Sequence, residues 1–176
     1  MVHISFPSFL IYHPLGASYA KKEIENNERS VQLHLWDTAG LEKYESLLPL
    51  YLRDANTIMI FFSIGEPETF AKVEYYLDFV RKQCPSGAYI LLVGTKSDLR
   101  SEMGAIQGAR IIGYDEVQAF AANNGIEYIE VSSKEGKNVN EAFQKAAEEM
   151  IKRLGQEEEQ VLQKSSEDPK SSCTIF

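Results

Sequence analysis

Residues 31–40 read VQLHLWDTAG, and this stretch decides the fold. Apolar and polar residues alternate through 31–37, which predicts a strand with one buried face. Residues 18–25 (SYAKKEIE) also predict a strand, and Asn26 and Asn27 lie between the two. Because asparagine tolerates the left-handed backbone of a tight turn, we expect the two strands to form a hairpin.

Further strand candidates follow along the chain. Residues 57–63 (TIMIFFS) and 89–93 (YILLV) are continuous apolar runs, typical of strands buried on both faces of a parallel sheet. Residues 126–131 (IEYIEV) predict one more strand. These segments therefore predict a sheet that is mostly parallel.

Helical segments alternate with these strands. One predicted helix begins at Pro67, since proline suits a first helical position, and ends at Cys84, which precedes a second proline. Asp115 and Asn138 each stand three residues before Gln or Glu, the pattern of a capping box, so each predicts a helix start. The first of these two helices is predicted to end near Gly125. The alternation predicts an α/β fold with helices on both faces of the sheet.

The composition is that of an ordinary globular protein. The 176 residues, 44% apolar and 25% charged, are enough for one domain with a sizeable core. The formal net charge of −8 argues against nucleic acid as a partner, because phosphate backbones require a basic surface. No apolar run reaches the length of a membrane span, and two separated cysteines form no disulfide framework. We therefore expect a cytoplasmic location.

The end of the first hairpin carries a candidate phosphate and metal site. Ligands of such sheets bind at the carboxyl ends of the strands. Asp37 ends the strand and Gly40 follows it. An aspartate there can hold a magnesium ion, and a glycine lets a backbone N–H approach a phosphate oxygen closely. A bare DxxG is also an ordinary acidic turn, but the whole WDTAG motif is more specific.

Two later strand ends carry candidate base-recognition residues. Thr95, Lys96 and Asp98 follow the strand at 89–93. A carboxylate such as that of Asp98 can accept two hydrogen bonds from the N1–H and the amine of guanine, and adenine offers no such pair. The stem of Lys96 can lie along the plane of the base. The strand at 126–131 is followed by a third candidate set, Ser132, Ser133 and Lys134.

Together these motifs resemble those of the Ras superfamily of small GTPases, whose order and spacing they match over residues 14–154. The resemblance implies a P-loop-NTPase-like G domain that binds GTP or GDP with Mg²⁺. It implies that Asp37 contacts Mg²⁺ through water and that Gly40 contacts the γ-phosphate. It further implies that Lys96 and Asp98 recognise guanine.

The remaining residues of the pattern are variants of it. Thr95 replaces the usual asparagine, and Ser133 replaces the usual alanine of the motif whose backbone contacts the guanine oxygen, between Ser132 and Lys134. The branch stays open: GTKSDLR resembles Rho proteins, whereas PLGASYAKKEI resembles Rab proteins.

Three elements that contact phosphate, metal or water in the family are missing. The sequence contains no GxxxxGK[ST] motif, whose backbone and lysine cradle the phosphates. The threonine that coordinates Mg²⁺ would fall near residues 13–15 (HPL), where there is none. Leu41 stands where a glutamine would orient the attacking water. No catalytic residue is therefore assigned, and GTP hydrolysis is predicted to be deficient.

The N-terminal residues 1–13 are atypical for the family. The family would place a strand, the P-loop and a helix before residue 14, and too few residues remain for them. Pro7 argues against a central strand formed by ISFPSFLIY. We therefore expect residues 1–154 to form an incomplete G domain that lacks the first strand, the P-loop and the first helix.

The C-terminal residues 155–176 are rich in Glu, Lys and Ser and are predicted to form a disordered tail. They end in a C-a-a-X motif at Cys173, and the last residue, Phe176, favours a geranylgeranyl group. A single lipid without a polybasic cluster gives reversible membrane attachment. We therefore expect the cytoplasmic face of a membrane and a prenyl-binding carrier protein as partners.

Three interpretations of function follow. The first is a signalling or trafficking switch of the GTPase family that binds guanine nucleotide weakly, with about 8 kcal/mol or less, and contacts effectors or regulators through residues 38–51. The second is a non-enzymatic pseudo-GTPase whose apolar residues in that range contact partners; the candidates are Leu47, Leu48, Leu50 and Tyr51. The third is a truncated product of a normal GTPase gene. A nucleotide-binding assay separates the first two.

Overall fold

A computed structural model describes residues 2–5, 17–25, 30–38, 48–53, 55–84, 87–103 and 110–166. The strands within these ranges are β1 (Val2–Ser5), β2 (Ala17–Glu25), β3 (Ser30–Thr38), β4 (Thr57–Ser63), β5 (Tyr89–Thr95) and β6 (Glu127–Glu130). The helices are α1 (Leu48–Leu52), α2 (Pro67–Ala71), α3 (Val73–Gln83), α4 (Leu99–Met103), α5 (Tyr114–Asn123) and α6 (Val139–Ser166).

The strands form one sheet in the order β2-β3-β1-β4-β5-β6. β2 and β3 pair antiparallel from Ala17↔Thr38 to Glu25↔Ser30, which confirms the predicted hairpin. The pairs from β3 onward are parallel. The predicted α/β class and the mostly parallel sheet are therefore confirmed.

Helices cover both faces of this sheet. Every residue of β4 is buried, as the continuous apolar run predicts. Ile58, Ile60 and Phe62 pack on one face with residues of α3 and α5, whereas Met59 and Phe61 pack on the other with residues of α6. Side chains of a strand alternate between faces, so one apolar run supplies two cores.

The prediction that the first strand is missing is not what the structure shows. Val2–Ser5 lies in the centre of the sheet, parallel to both neighbours, with Val2 opposite Leu35 of β3 and Thr57 of β4. The strand ends before Pro7, so the missing N–H of the proline removes no hydrogen bond from it. Four residues suffice because both neighbouring strands offer backbone partners. The predicted absence of the first helix concerns residues 6–16, which lie outside the described residues.

Two predicted helices differ in their details. The helix expected from Pro67 to Cys84 is interrupted at Lys72, which separates α2 from α3. α5 begins at Tyr114 after Gly113, and no side chain caps it, so the capping box predicted at Asp115 is wrong. An earlier start places Asp115 inside the first turn, where its charge suits the positive end of the helix dipole. The predicted end near Gly125 (φ 62°) is confirmed.

The last helix departs from prediction at both ends. Asn138 has a φ of 56°, and its Nδ2 donates to the Glu130 carbonyl at 2.8 Å, which ties the helix start to β6 instead of forming the predicted capping box. The helix runs to Ser166 and passes Gly155, where a disordered tail was expected to begin. The Glu, Gln and Leu residues that follow are good helix formers, and one glycine costs only about 1 kcal/mol. Cys173 lies outside the described residues.

Candidate functional site

The carboxyl ends of the parallel strands gather the predicted site residues at one edge of the sheet. Ser5 of β1 is in register with Thr38, and Ser63 with Thr95. β4 and β5 therefore end together and β6 ends one residue earlier, whereas β3 ends level with Ile60, three residues before the end of β4. We call residues 95–98 and 132–134 the base side of this edge, and Asp37 and Thr38 its phosphate side; residues 6–16 and 39–41, which follow β1 and β3 in the chain, lie outside the described residues.

Asp98 and Ser132 are joined directly on the base side. The Ser132 hydroxyl donates to Asp98 Oδ1 at 2.6 Å, and both residues are buried. This hydrogen bond is the main reason that the pKa of Asp98 lies below its usual range, and the charges of Lys134 and Lys96 lower it further. Asp98 is therefore ionised at neutral pH and presents a carboxylate that accepts hydrogen bonds.

Lys96 is held in an unusual conformation beside this carboxylate. Its φ of 63° lies in the left-handed region, which non-glycine residues seldom adopt and which often marks functional sites. Its ammonium group forms an ion pair with Glu66. Neighbouring backbone fixes the loop, because Ser97 N donates to the Val131 carbonyl at 3.1 Å and Leu99 N donates to the Lys96 carbonyl at 3.0 Å.

Sequence reasoning did not find Glu66. It follows β4, and its carbonyl accepts hydrogen bonds from the backbone N–H of Thr69 at 2.9 Å and from the Thr69 hydroxyl at 2.7 Å. Its backbone is therefore fixed, and the side chain reaches the loop after β5. No local pattern marks it, since the pair forms only when β4 and β5 are neighbours.

Thr95 serves the sheet rather than the open edge. Its hydroxyl donates to the Phe62 carbonyl at 2.9 Å, and the Ile64 N–H donates to the Thr95 carbonyl at 3.1 Å. These bonds fasten the base side to the end of β4. At the position where the family pattern has asparagine, the threonine hydroxyl therefore binds the backbone of β4.

The loop after β6 is a closed turn. Ser132 and Lys137 exchange backbone hydrogen bonds of 3.0 Å, and the Ser132 hydroxyl accepts a bond of 3.2 Å from the Glu135 N–H. Ser133 and Lys134 are exposed on this turn. The motif at 132–134 therefore contacts the motif at 95–98 through Ser132, and Ser133 and Lys134 are accessible to a ligand.

A network behind the base side holds α4 against β6. Arg100 forms a bidentate ion pair with Glu130, with Nε 2.6 Å from Oε2, and it also donates to the Ile112 carbonyl at 3.1 Å. The Tyr128 hydroxyl donates to the same carboxylate at 2.6 Å. Gly94 is required here because an added Cβ would lie 2.7 Å from that hydroxyl oxygen. Sequence reasoning found none of these supporting residues.

Two buried hydroxyls at this edge lack a hydrogen-bond partner within the described part of the chain. They belong to Ser97, between the two base-side residues Lys96 and Asp98, and to Ser63, at the end of β4. Leaving a buried hydroxyl unpaired costs about 1–3 kcal/mol, and such groups often mark functional sites.

The phosphate side offers fewer groups. Asp37 is half-buried at the end of β3, and Thr38 is buried beside it, whereas Gly40 and Leu41 lie outside the described residues. Among the residues that are described, no three His, Cys, Asp or Glu side chains group together as metal ligands. Residues 6–16 (FPSFLIYHPLG) contain no lysine and no arginine. Within the described residues, the groups at this edge match the hydrogen-bonding groups of guanine.

A group of aromatic rings lies beside this edge, with Tyr19 exposed and the others half-buried. Tyr19 and Trp36 have ring centroids 4.7 Å apart, and Trp36 and Tyr51 5.4 Å apart. The Tyr19 hydroxyl and His34 Nδ1 share a hydrogen bond of 2.7 Å. We call Tyr19, His34, Trp36 and Tyr51 the aromatic surface. It extends the surface predicted at 38–51 onto the hairpin.

The apolar residues predicted to contact partners divide between surface and core. Leu50 is 65% exposed, and Leu48 is only 4% exposed and belongs to the core. Leu47 lies outside the described residues. Within the described ranges, no helix combines the length and apolar character of a membrane span.

Comparison with known proteins agrees with the motifs. A family model described as "Ras family" matches residues 6–152. The chain is 34% identical over 137 residues to the GTP-binding protein ypt5 of Schizosaccharomyces pombe, with 77% of the chain and 62% of the relative covered. It is 32% identical over 140 residues to the Ras-related protein Rab-2B of Dictyostelium discoideum, with 80% and 66% covered.

The chain therefore spans somewhat less than two thirds of the length of these relatives. The Ras family binds guanine nucleotide and Mg²⁺ in general, and the named relatives are Ypt and Rab proteins rather than Rho proteins. The matched range includes the base side, residues 37–41 and the aromatic surface. The chain belongs to the Ras family.

Proposed function

We propose that this chain is a guanine-recognising trafficking or signalling protein of the Ras family in which tight nucleotide binding and hydrolysis are impaired. The observation that carries the proposal is the buried Asp98 carboxylate, held by Ser132 at the open edge of the sheet. Because Ser132 and the backbone N–H of Asp98 use only some of the lone pairs of the carboxylate, others remain as acceptors for a base.

The chemistry of these acceptors selects guanine. The N1–H and the exocyclic amine of guanine are adjacent donors, and a carboxylate with two oxygens matches such a pair. Lys96 contributes its apolar stem, which can cover the base, and the exposed turn at Ser133 contributes backbone N–H groups. Adenine would leave the remaining acceptors of the buried carboxylate without donors, which a buried site penalises.

Hydrolysis is proposed to be impaired because the chain lacks the groups that the reaction requires. Leu41 has no polar atom with which to orient a water molecule. The phosphate side contributes Asp37 and no lysine from residues 6–16. We therefore assign no catalytic residue.

A second candidate function, a non-enzymatic interaction module, is favoured by the aromatic surface. Exposed Tyr and Trp side chains supply much of the binding energy at protein interfaces. Tyr19 is 44% exposed, and Leu50, which precedes Tyr51 in the chain, is 65% exposed. Effectors or regulators are the partners expected there, and this role requires no hydrolysis.

Membrane attachment is proposed through a prenyl group on Cys173, with a prenyl-binding carrier as soluble partner. One lipid gives reversible binding. If prenylated wild type and Cys173→Ser protein partition equally between cytosol and membrane in cells, this part of the proposal is wrong.

Base selectivity tests the central proposal. An amide at position 98 offers a donor as well as an acceptor, so Asp98→Asn should weaken guanosine binding at least tenfold and improve xanthosine binding, since xanthine carries a carbonyl where guanine carries its amine. Ligand-observed NMR with guanosine, xanthosine and adenosine measures both. Equal binding of guanosine and adenosine by the wild-type chain would contradict the proposal.

A further inference from the structure

We propose that the site binds the guanine base of a nucleoside and gains nothing from the phosphates, so that guanosine and GTP bind with equal affinity. This inference rests on the guanine recognition proposed above and names its ligand class. It follows from the charges at the edge, from the Glu66–Lys96 pair and from the segment that follows β1.

The edge presents carboxylates where a polyphosphate would require cations. Asp37 is the second-last residue of β3, and Glu66 and Asp98 follow the ends of β4 and β5. Among the described residues of the loops after β4, β5 and β6, the cations are Lys96, Lys134 and Lys137, against Glu66, Asp98 and Glu135, and Lys96 is paired with Glu66. Several negative charges of a nucleotide therefore meet no net positive charge, and the nearest carboxylates repel them.

Backbone hydrogen bonds hold Glu66 in place beside Lys96. The two bonds from Thr69 and a bond of 3.1 Å from the Glu66 N–H to the Ser63 carbonyl fix its backbone. The side chains of Lys96 and Glu66 are 52% and 31% exposed, so the pair contributes little to stability. Its effect is on the ligand: it neutralises the lysine charge and leaves the lysine stem for the base.

The segment that would hold phosphates in the family offers no replacement. β1 occupies the centre of the sheet, and residues 6–16 are the whole connection from it to β2. A phosphate-binding loop after such a strand uses glycine-rich backbone and a lysine. This connection has one glycine, Gly16, and neither lysine nor arginine. Any course of the connection therefore leaves the phosphates without a cation from it.

Titration of the full chain with a series of ligands tests the inference. Guanosine, GMP, GDP and GTP are compared in Mg²⁺ buffer by ligand-observed NMR, which detects the dissociation constants of about 10–1,000 µM expected for a ligand of this size. We expect the four constants to agree within about threefold, with adenosine tenfold weaker or more. GDP or GTP binding tenfold tighter than guanosine overturns the inference and leaves guanine recognition standing. Binding of none of the four overturns both.

The variant Glu66→Gln tests the role of the ion pair. Removing the carboxylate frees the charge of Lys96, and a unit charge a few ångströms from a phosphate in water is worth about fivefold in affinity. We expect the ratio of GDP to guanosine affinity to rise about fivefold, while guanosine binding itself persists. Glu68→Gln is the matched control, because Glu68 is exposed in the first turn of α2, and its ratio should stay near one. A ratio unchanged in Glu66→Gln overturns the role given to Glu66.

Discussion

At the ends of β5 and β6, Asp98 is hydrogen-bonded to Ser132, and Lys96 is paired with Glu66. Arg100 and Glu130 form a further ion pair behind these residues. Near the end of β3 lies Asp37, and the residues that follow β1 in the chain, 6–16, contain no lysine or arginine. The base side draws its groups from two turns that the sheet edge brings together. The residues that the family uses for the phosphates follow β1 and β3, apart from these two turns.

Under the proposed function, the two parts of the nucleotide site are lost independently of one another. A side-chain carboxylate held by a neighbouring serine is independent of the loop after the central strand. The prediction with the largest expected effect tests whether helix α1 packs on the folded core.

Leu48 of α1 should show the largest effect. It is 4% exposed and packs in the same cluster as Ile58 and Leu77, so Leu48→Ala should lower the free energy of unfolding by about 3 kcal/mol. Leu50→Ala is the matched control in the same helix, and because Leu50 is 65% exposed its cost should be below about 0.5 kcal/mol. Urea denaturation measures both. Equal costs would mean that α1 is not packed on the core.

Gly94 tests the rigidity of the base side. Gly94→Ala places a Cβ 2.7 Å from the Tyr128 hydroxyl and 3.1 Å from Ile64, a clash that should cost about 2–3 kcal/mol. Gly113→Ala is the control, since its Cβ would meet ordinary contacts of 3.7 Å and more. A Gly94→Ala protein as stable as wild type would show that the base side adapts and that its geometry is not fixed.

Arg100 tests the supporting network. Arg100→Met leaves the carboxylate of Glu130, whose side chain is 10% exposed, with the Tyr128 hydroxyl, and should cost about 1–2 kcal/mol. Lys145→Met is the control, because its ion pair with Glu127 is exposed on both sides and should contribute at most about 0.5 kcal/mol. If the two variants unfold at the same urea concentration, the network does not stabilise the base side.

The sequence predicts those features that depend on local periodicity. The hairpin, the doubly buried β4 and the convergence of Asp98 with Ser132 at one edge follow from alternation, apolar runs and parallel strand order. The central strand at Val2–Ser5 does not, since four residues carry no period and the partners are more than 30 residues away in the chain. The Glu66–Lys96 pair is missed for the same reason, because it exists only through the pairing of β4 with β5.

The start of the last helix was mispredicted for a different reason: two backbone groups compete for the side chain of Asn138. Asn138 has the right spacing for a capping box, but its amide donates to the Glu130 carbonyl instead. Short polar side chains satisfy whichever backbone group is nearest, and sequence spacing does not reveal which one that is. The aromatic surface was missed because Tyr19 and Trp36 meet across the hairpin, opposite one another in its register.

The smallest expected effect is a shift in the pH dependence of guanosine binding, which tests the base side alone. The folded state lowers the pKa of Asp98, chiefly through the Ser132 hydroxyl, so the ionised carboxylate persists above that lowered pKa and is lost as the pH falls through it. Ser132→Ala removes the main cause, and the pKa should move up toward its ordinary value. Guanosine binding should then disappear at a higher pH than in the wild type, with little change at neutral pH, where Asp98 is ionised in both.

Ser101→Ala provides the control for this shift, because Ser101 is an exposed serine on the neighbouring α4 and should leave the pH profile unchanged. NMR titration of guanosine binding against pH measures all three proteins. A profile that moves to lower pH in Ser132→Ala, or does not move, would mean that the hydroxyl does not stabilise the charged carboxylate. The lowered pKa of Asp98 would then have to come from the charges of Lys134 and Lys96 and from its backbone, acting against burial.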